Sequence, residues 1–479
     1  MLVRFRPWAA ALLILLAAAS RLWLIPVHLG LDPNEGWNGY QALRAMGAGP
    51  LYPPPGAMTG NNYPPLSFFV VGGLGRLVGD PIVAGRLLSL ASVLAIAAAI
   101  AAILRRLGTA RPAPAAGALL FLLLAATVLR PYLAMNDPQW LGHALMTASV
   151  LLLMPASPEA APEPVRVAGA ALLMLLGGLV KHNLVAWPLA TTAWLGWYHR
   201  RALLPWLAAG AAAGAAAAVL GWALFGPDLF ANLLHAPRTY SVARMVVRAA
   251  GPLLIMAPML LWCAPLMRRR QGDRRIDLIL LAIAISVPVG VIERSGAGVD
   301  LNAHFESAIA LSIGCALAAG RQQERFERCA AGFLALLLAG GLVLEAVELA
   351  GLGRARRAWN AMQERIAAVP GPVACETPAL CLWAGKPLAI DFFLYGQRAR
   401  AEGGAPMLDR ALAERRFGAI QLDPRRADTR DDPLFLRIAA AMRPAFATAD
   451  GRVLMVPTAV ERSRREPYSR IAPDARRRG

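Results

Sequence analysis

Four ionisable residues stand where the surrounding sequence is otherwise apolar. Asp32 and Glu35 follow directly on the first apolar run, in Asp32-Pro33-Asn34-Glu35. Asp137 sits in a short polar break, Met135-Asn136-Asp137-Pro138, and Lys181 begins Lys181-His182-Asn183 inside an apolar stretch. A carboxylate at a membrane surface suits general-base work on a hydroxyl. A lysine at the centre of a membrane helix costs roughly 2.5–3.5 kcal/mol on insertion scales, so it calls for an anion; phosphate is the natural one. Each residue also has a plainer reading. Asp32 and Glu35 fit a capping box, Asp137 fits a cap before Pro138, and Lys181 fits a snorkelling side chain. At this level both sets of readings stand.

Other residues extend the same chemistry. The segment 30–65 is rich in Gly, Pro, Asn and aromatic residues, which predicts an ordered irregular loop rather than a helix; it ends in the turn Tyr63-Pro64-Pro65-Leu66. Arg238, Arg244 and Arg248 in a later polar loop are suited to clamping a phosphate, or to meeting lipid headgroups at a rim. Asn302, His304 and Glu306 open a late span, as a polar cap or as a wall against sugar or phosphate.

These residues need a scaffold, and the composition says which kind. The 479 residues are 57% hydrophobic and 16% charged, against about 25% charged in soluble domains. Apolar runs near membrane-spanning length recur, which predicts an α-helical polytopic membrane protein. Eleven spans are expected: Trp8–Leu29, Pro81–Leu104, Pro114–Leu129, Trp140–Met154, Arg166–Leu184, Val185–Trp197, Leu203–Phe225, one ending at Arg268, Ile276–Ile292, Ala303–Ala319 and Cys329–Leu352. The formal charge of +19 does not point to nucleic acid, because the Arg clusters lie between spans, where they set topology. With eleven spans, Arg4/Arg6, Arg105/Arg106, Arg200/Arg201, Arg268–Arg275 and Arg321–Arg328 share the cytoplasmic side. The Asp32 loop, Asp137, the Arg238 loop and residues 293–302 share the opposite side. So does the tail, 353–479, which reads as a small α/β domain with strands near Pro387–Ile390 and Phe417–Leu422, helices near Ala405–Arg415 and Pro433–Met442, and a disordered end, Arg462–Gly479. Five Cys and no Cys-x-x-Cys give no metal site; Cys375 and Cys381 are free to pair if the tail lies outside the cytoplasm.

At these residues the chain resembles the type C integral membrane glycosyltransferases, nearest to the protein O-mannosyltransferase and aminoarabinose transferase branch. The resemblance is carried by Asp32-Pro33-Asn34-Glu35 after span one, Tyr63-Pro64-Pro65-Leu66, Asp137, Lys181, and the late segment Gly296–Glu306. It covers most of residues 1–350. It implies transfer of a sugar from a polyprenyl-phosphate carrier to a lipid, glycan or protein acceptor, on the extracytoplasmic face of a bacterial inner membrane. It implies Asp32, Glu35 and Asp137 as catalytic residues, and Tyr63, Pro64, Pro65, Lys181, His182, Arg238, Arg244, Asn302, His304 and Glu306 as the substrate-binding set. No cofactor is implied, and many members work without a catalytic metal. Asn34 stands where many relatives carry an acid beside Glu35, so the base is either Asp32 or Glu35.

Two other classes compete. A lipid or glycan transporter or flippase would spread polar residues along a mid-membrane path or show inverted repeats. A non-catalytic scaffold would leave the acid segment and Lys181 unexplained.

Overall fold

The structure is a computed structural model and describes residues 7–268, 272–319, 324–424 and 433–458. Arg4, Arg6, residues 269–271 and 321–323 of the basic clusters, and the expected disordered end Arg462–Gly479, lie outside the described residues.

The chain opens with α1 (Pro7–Ala17), α2 (Ala19–Trp23), α3 (Pro33–Ala45), α4 (Leu66–Val78) and α5 (Pro81–Arg106). There follow α6 (Pro112–Ala126), α7 (Gln139–Leu153), α8 (Pro164–Val180), α9 (Ala186–Tyr198), α10 (Arg200–Phe225) and α11 (Pro227–Leu234). The bundle is completed by α12 (Val242–Arg268), α13 (Arg274–Glu293), α14 (Phe305–Ala318) and α15 (Glu324–Ala368). Among the described residues six helical units are long and apolar enough to cross a membrane, and five shorter apolar helices accompany them. Helix length alone therefore does not fix the expected number of eleven crossings. One core runs through the bundle, with Trp140 stacked on Phe305 at 3.7 Å between ring centroids and Phe121, Trp187 and Trp194 fully buried.

The expected first span, Trp8–Leu29, is broken at Ala18. The break is stabilised from α15, where Glu345 accepts the Ser20 backbone N–H at 2.6 Å and the Ser20 hydroxyl at 2.9 Å. Arg130 donates to Glu345, to Glu348 and to the Ala17 carbonyl, so the freed end of α1 keeps a partner. An uncapped helix end in an apolar surround would otherwise leave backbone groups unsatisfied.

The segment expected to be an irregular loop holds a helix instead. Asp32 caps α3 by accepting the Asn34 N–H at 2.8 Å, and Pro33 occupies the first helical position. Gly36 would count against this helix by about 1 kcal/mol relative to Ala. Its reason is contact: a Cβ there would stand 2.0 Å from the Ala379 nitrogen.

Helix α15, at 45 residues, is about 68 Å long, more than twice a bilayer core of about 30 Å. It runs unbroken past residue 352, where the tail was expected to begin, and leads to β1 (Val373–Cys375) and α16 (Pro378–Trp383). After α17 (Phe392–Glu402) and α18 (Pro406–Ala413) come β2 (Ala419–Leu422), the helix Pro433–Ala441, β3 (Met442–Ala447) and β4 (Val453–Pro457). The strands form one sheet in the order β1-β2-β4-β3; β1 and β2 are parallel and the other pairs antiparallel. Pro387–Ile390, expected as a strand, is not one. It leads to Asp391, whose N–H is donated to the Met58 carbonyl of the segment between α3 and α4 at 2.8 Å.

The tail and the bundle share a core. Leu24, Leu29, Tyr40 and Ile82 pack with Trp359, Val373, Ala379 and Leu380. Cys375 and Cys381 are joined by a disulfide across five residues, tying β1 to α16. Asp80, the cap of α5, accepts from the Trp383 indole at 2.8 Å and so fastens α16 to the bundle.

Candidate active site

The docked tail closes a cavity of about 750 Å³ against the connecting segments of the bundle. From the bundle, Asp32, Asn34, Trp37, Tyr63, Tyr132, Arg238, Arg244, Arg248, Asp300 and Asn302 line it. The tail supplies Glu376, Asp391, Phe393, Gln397 and Arg400. Gly298, at φ +74°, admits the Phe393 ring: a Cβ would meet it at 2.5 Å.

Asp32 is exposed on this cavity at the first turn of α3. Glu35, three residues on, is wholly buried and away from it. Its two oxygens take Arg86 Nε at 2.8 Å and Arg86 Nη2 at 2.7 Å. They also accept the N–H of Leu31 at 2.8 Å and of Asn136 at 3.0 Å. Arg86, equally buried, spends its remaining donors on the carbonyls of Leu24, Val27 and Leu29 at 2.7–2.8 Å. Asp32 thus both caps α3 and faces the cavity, whereas Glu35 is the anchor of a saturated ion pair.

Asp137 is buried and accepts the Gln139 N–H at 2.8 Å, the cap geometry weighed from sequence. It lies close enough to act electrostatically on Tyr132. Burial, then Asp137, Asp300 and Asp32, hold the Tyr132 hydroxyl well above its usual titration range, so it is protonated.

Lys181 ends α8 in extended conformation, φ −154° and ψ 115°, rather than lying within a continuous span. It is buried, donates to Gln139 Oε1 at 2.6 Å, and stands 5.0 Å from the centroid of the Tyr63 ring. No carboxylate lies within ion-pair distance of it among the described residues. The ammonium therefore sits one layer behind the cavity wall with a neutral partner. Gln139 is the hub here, also donating to the Asn302 carbonyl at 2.8 Å. His182 is exposed, with its ring 6.5 Å from that of Tyr63. Pro64 and Pro65 do not line the cavity; they start α4 and set Tyr63 edge-on to Trp37 at 5.5 Å.

Arg244 donates to the carbonyls of Thr239 and Ser295, and Arg248 to that of Val299. Arg238, half-buried, has no hydrogen bond or ion pair among the described residues. It is a basic group of the wall that is open to an anion.

His304 and Glu306 are not brought to the cavity. Glu306 accepts the N–H groups of Ala186 and Trp187 at 3.3 and 3.2 Å, capping α9 from α14. His304 is buried against Gly290, where a Cβ would stand 2.7 Å from its Nδ1. No group of three or more His, Cys, Asp or Glu among the described residues is placed to hold a metal ion.

Sequence reasoning missed Arg86, Gln139, Asp300 and the tail residues. Arg86 carried a signal, being the one ionisable residue between Asp80 and Arg105 in an apolar span. Asp300 lay within the late segment Gly296–Glu306 without being singled out, and the tail residues carried no signal, because only the fold brings them to the cavity.

No protein-family model matches the sequence, and no curated protein matches it. Solved structures do. ArnT from Cupriavidus metallidurans bound to undecaprenyl phosphate is matched over 93% of this chain and 98% of its own, with TM-score 0.60 and 14% identity. The apo state of the same protein gives TM-score 0.60 at 16% identity over the same shares. The Archaeoglobus fulgidus oligosaccharyltransferase tethered with an acceptor peptide gives TM-score 0.50 at 10% identity, over 94% of this chain and 74% of its own. At these identities the likeness is one of fold. The chain has the fold of the type C glycosyltransferases, the group its motifs resemble.

Proposed function

We propose that the protein transfers a sugar from a polyprenyl-phosphate carrier to a hydroxyl of a lipid, glycan or protein acceptor, with inversion. The observation that carries this reading is a single cavity lined both by Asp32 and by Arg238, Arg244 and Arg248. Asp32 takes the proton of the acceptor hydroxyl as its oxygen attacks the anomeric carbon. The bond from that carbon to the phosphate oxygen breaks, and the electron pair leaves with the phosphate. Arg238 and Arg244, with Lys181 behind Tyr63, stabilise the charge that develops there. Asn302 completes the donor side, His182 stands behind Tyr63, and Glu35 and Asp137 hold the acid-bearing segments. His304 and Glu306 act only through the packing of α9, α13 and α14.

The bound undecaprenyl phosphate in the ArnT structure supports the choice of carrier. The Arg-rich connections at the far end of α5 and the tail disulfide support an extracytoplasmic active site in a bacterial inner membrane.

The test is turnover. Purified protein is given a panel of undecaprenyl-phosphate sugars and a membrane extract as acceptor, and release of undecaprenyl phosphate is measured. At least one donor should be consumed. Folded protein that consumes none, yet moves labelled lipid across vesicle bilayers, would replace this reading with transport.

A further inference from the structure

The first observation is how tightly one buried ion pair holds the chain on both sides of Asp32. Arg86 Nη2 fixes the Leu29 carbonyl at 2.7 Å, and Glu35 Oε2 fixes the Leu31 N–H at 2.8 Å. On the other side the Glu35 N–H closes onto the Asp32 carbonyl at 3.1 Å. Asp32 is therefore bracketed, within three residues each way, by contacts to a single bidentate pair. Bidentate Arg–carboxylate geometry fixes direction as well as distance.

The second observation is that the same pair reaches the other acid-bearing segment. Asn136, next to Asp137, donates its N–H to Glu35 Oε1 at 3.0 Å and its side-chain amide to the Glu35 carbonyl at 3.0 Å. Asn38, one turn further along α3, donates to the Asn136 carbonyl at 2.8 Å. Gly85, the neighbour of Arg86 on α5, makes room: a Cβ there would stand 1.8 Å from Asn136 Oδ1. Gly85 and Arg86 thus serve one purpose together, the first admitting Asn136 and the second saturating the carboxylate it lands on.

We propose that Arg86, through Glu35 and Asn136, is a positioning residue that sets Asp32 at the cavity in register with the segment that carries Asp137. This rests on the assignment of Asp32 as the base. Arg86 touches no substrate and does not line the cavity. Its influence runs through backbone geometry, since an acceptor proton must lie within hydrogen-bond reach of Asp32 for transfer, and displacements near 1 Å are costly to rate. A buried pair with every donor and acceptor used also leaves no slack.

The test is a double-mutant cycle on kcat and donor KM, using the purified full chain and the donor found active in the turnover assay. Asp32→Asn, Arg86→Lys and the double variant are compared, with thermal midpoints measured alongside. Arg86→Lys should lower kcat at least about 10-fold with donor KM within about 2-fold of wild type. In the Asp32→Asn background it should lower kcat no more than about 3-fold further, because the residue it positions is already gone. Full multiplication of the two effects, or an unchanged kcat in Arg86→Lys, overturns the proposal. Full activity of Asp32→Asn overturns the base assignment instead, which is a separate failure. If Arg86→Lys does not fold, the same cycle is run with Asn136→Ala, which keeps the ion pair and the two backbone bonds of residue 136 and removes the side-chain amide bond to the Glu35 carbonyl. It should lower kcat and be non-additive with Asp32→Asn; additivity or an unchanged kcat there overturns the proposal.

Discussion

Trp37 donates its indole N–H to Oδ2 of Asp391 at 2.7 Å, joining residues 354 positions apart. One lies on α3, a turn beyond Asp32; the other caps α17 of the tail, accepting the Leu394 N–H at 2.8 Å. Burial pushes the Asp391 carboxyl up to about 6, although the Leu394 and Trp37 donors and the nearby Arg44 pull it down. A folded value above the usual carboxylate range means that the folded state favours the protonated acid. The stability from this group is full near pH 4 and is lost as pH rises to about 6, with a slope of at most about 1.4 kcal/mol per pH unit. The thermal midpoint of the wild type should fall across this window, and Asp391→Asn should remove that part of the slope. Identical slopes in the two proteins would contradict the assignment.

Gly36 leaves no room for a side chain between bundle and tail. A Cβ there would lie 2.0 Å from a backbone nitrogen, which has no rotamer to move. Gly36→Ala should displace α16, expose the 369–372 connection to limited proteolysis and reduce transfer strongly. Wild-type protease resistance and activity in this variant would show that the tail docks otherwise.

The disulfide holds that same helix. Non-reducing mass mapping should find Cys375 linked to Cys381. Closing so short a loop is worth about 2 kcal/mol on the chain-entropy account. Reduction should therefore raise hydrogen exchange in α16 and along the facing side of α3. Free thiols in protein isolated under oxidising conditions would remove this element.

Topology is checked by labelling in a Cys329→Ser background, since Cys329 is exposed and Cys263 and Cys315 are buried. Pro55→Cys in the first outer segment should react with an impermeant reagent from outside. Ala110→Cys, beyond Arg105 and Arg106, should react only after the membrane is opened. Labelling of both from one side would break the two-sided arrangement.

Much of this site was legible because its chemistry is expensive to bury. Asp32 and Lys181 stand out in any apolar sequence, and the structure puts one on the cavity and the other just behind it. The helical first outer segment was not legible, since Gly36 and Gly39 argue against a helix until the tail packed on them is known. Glu35 illustrates the limit. Its type and position match a base as well as a cap, and nothing local announces the ion pair it makes with Arg86, 51 positions on. Asp391 and Glu376 carried no local mark at all, because they reach the cavity through a tail whose seat is tertiary.

The central claim is that base and phosphate site are separate, and one pair of variants separates them. Asp32→Asn and Lys181→Ala are each assayed for binding of undecaprenyl phosphate and for sugar transfer. Asp32→Asn should bind the lipid phosphate as wild type does and lose transfer by about 10²–10⁴-fold. Lys181→Ala should weaken lipid-phosphate binding and slow transfer with it. Folded Asp32→Asn protein that transfers at the wild-type rate would contradict the account at its centre.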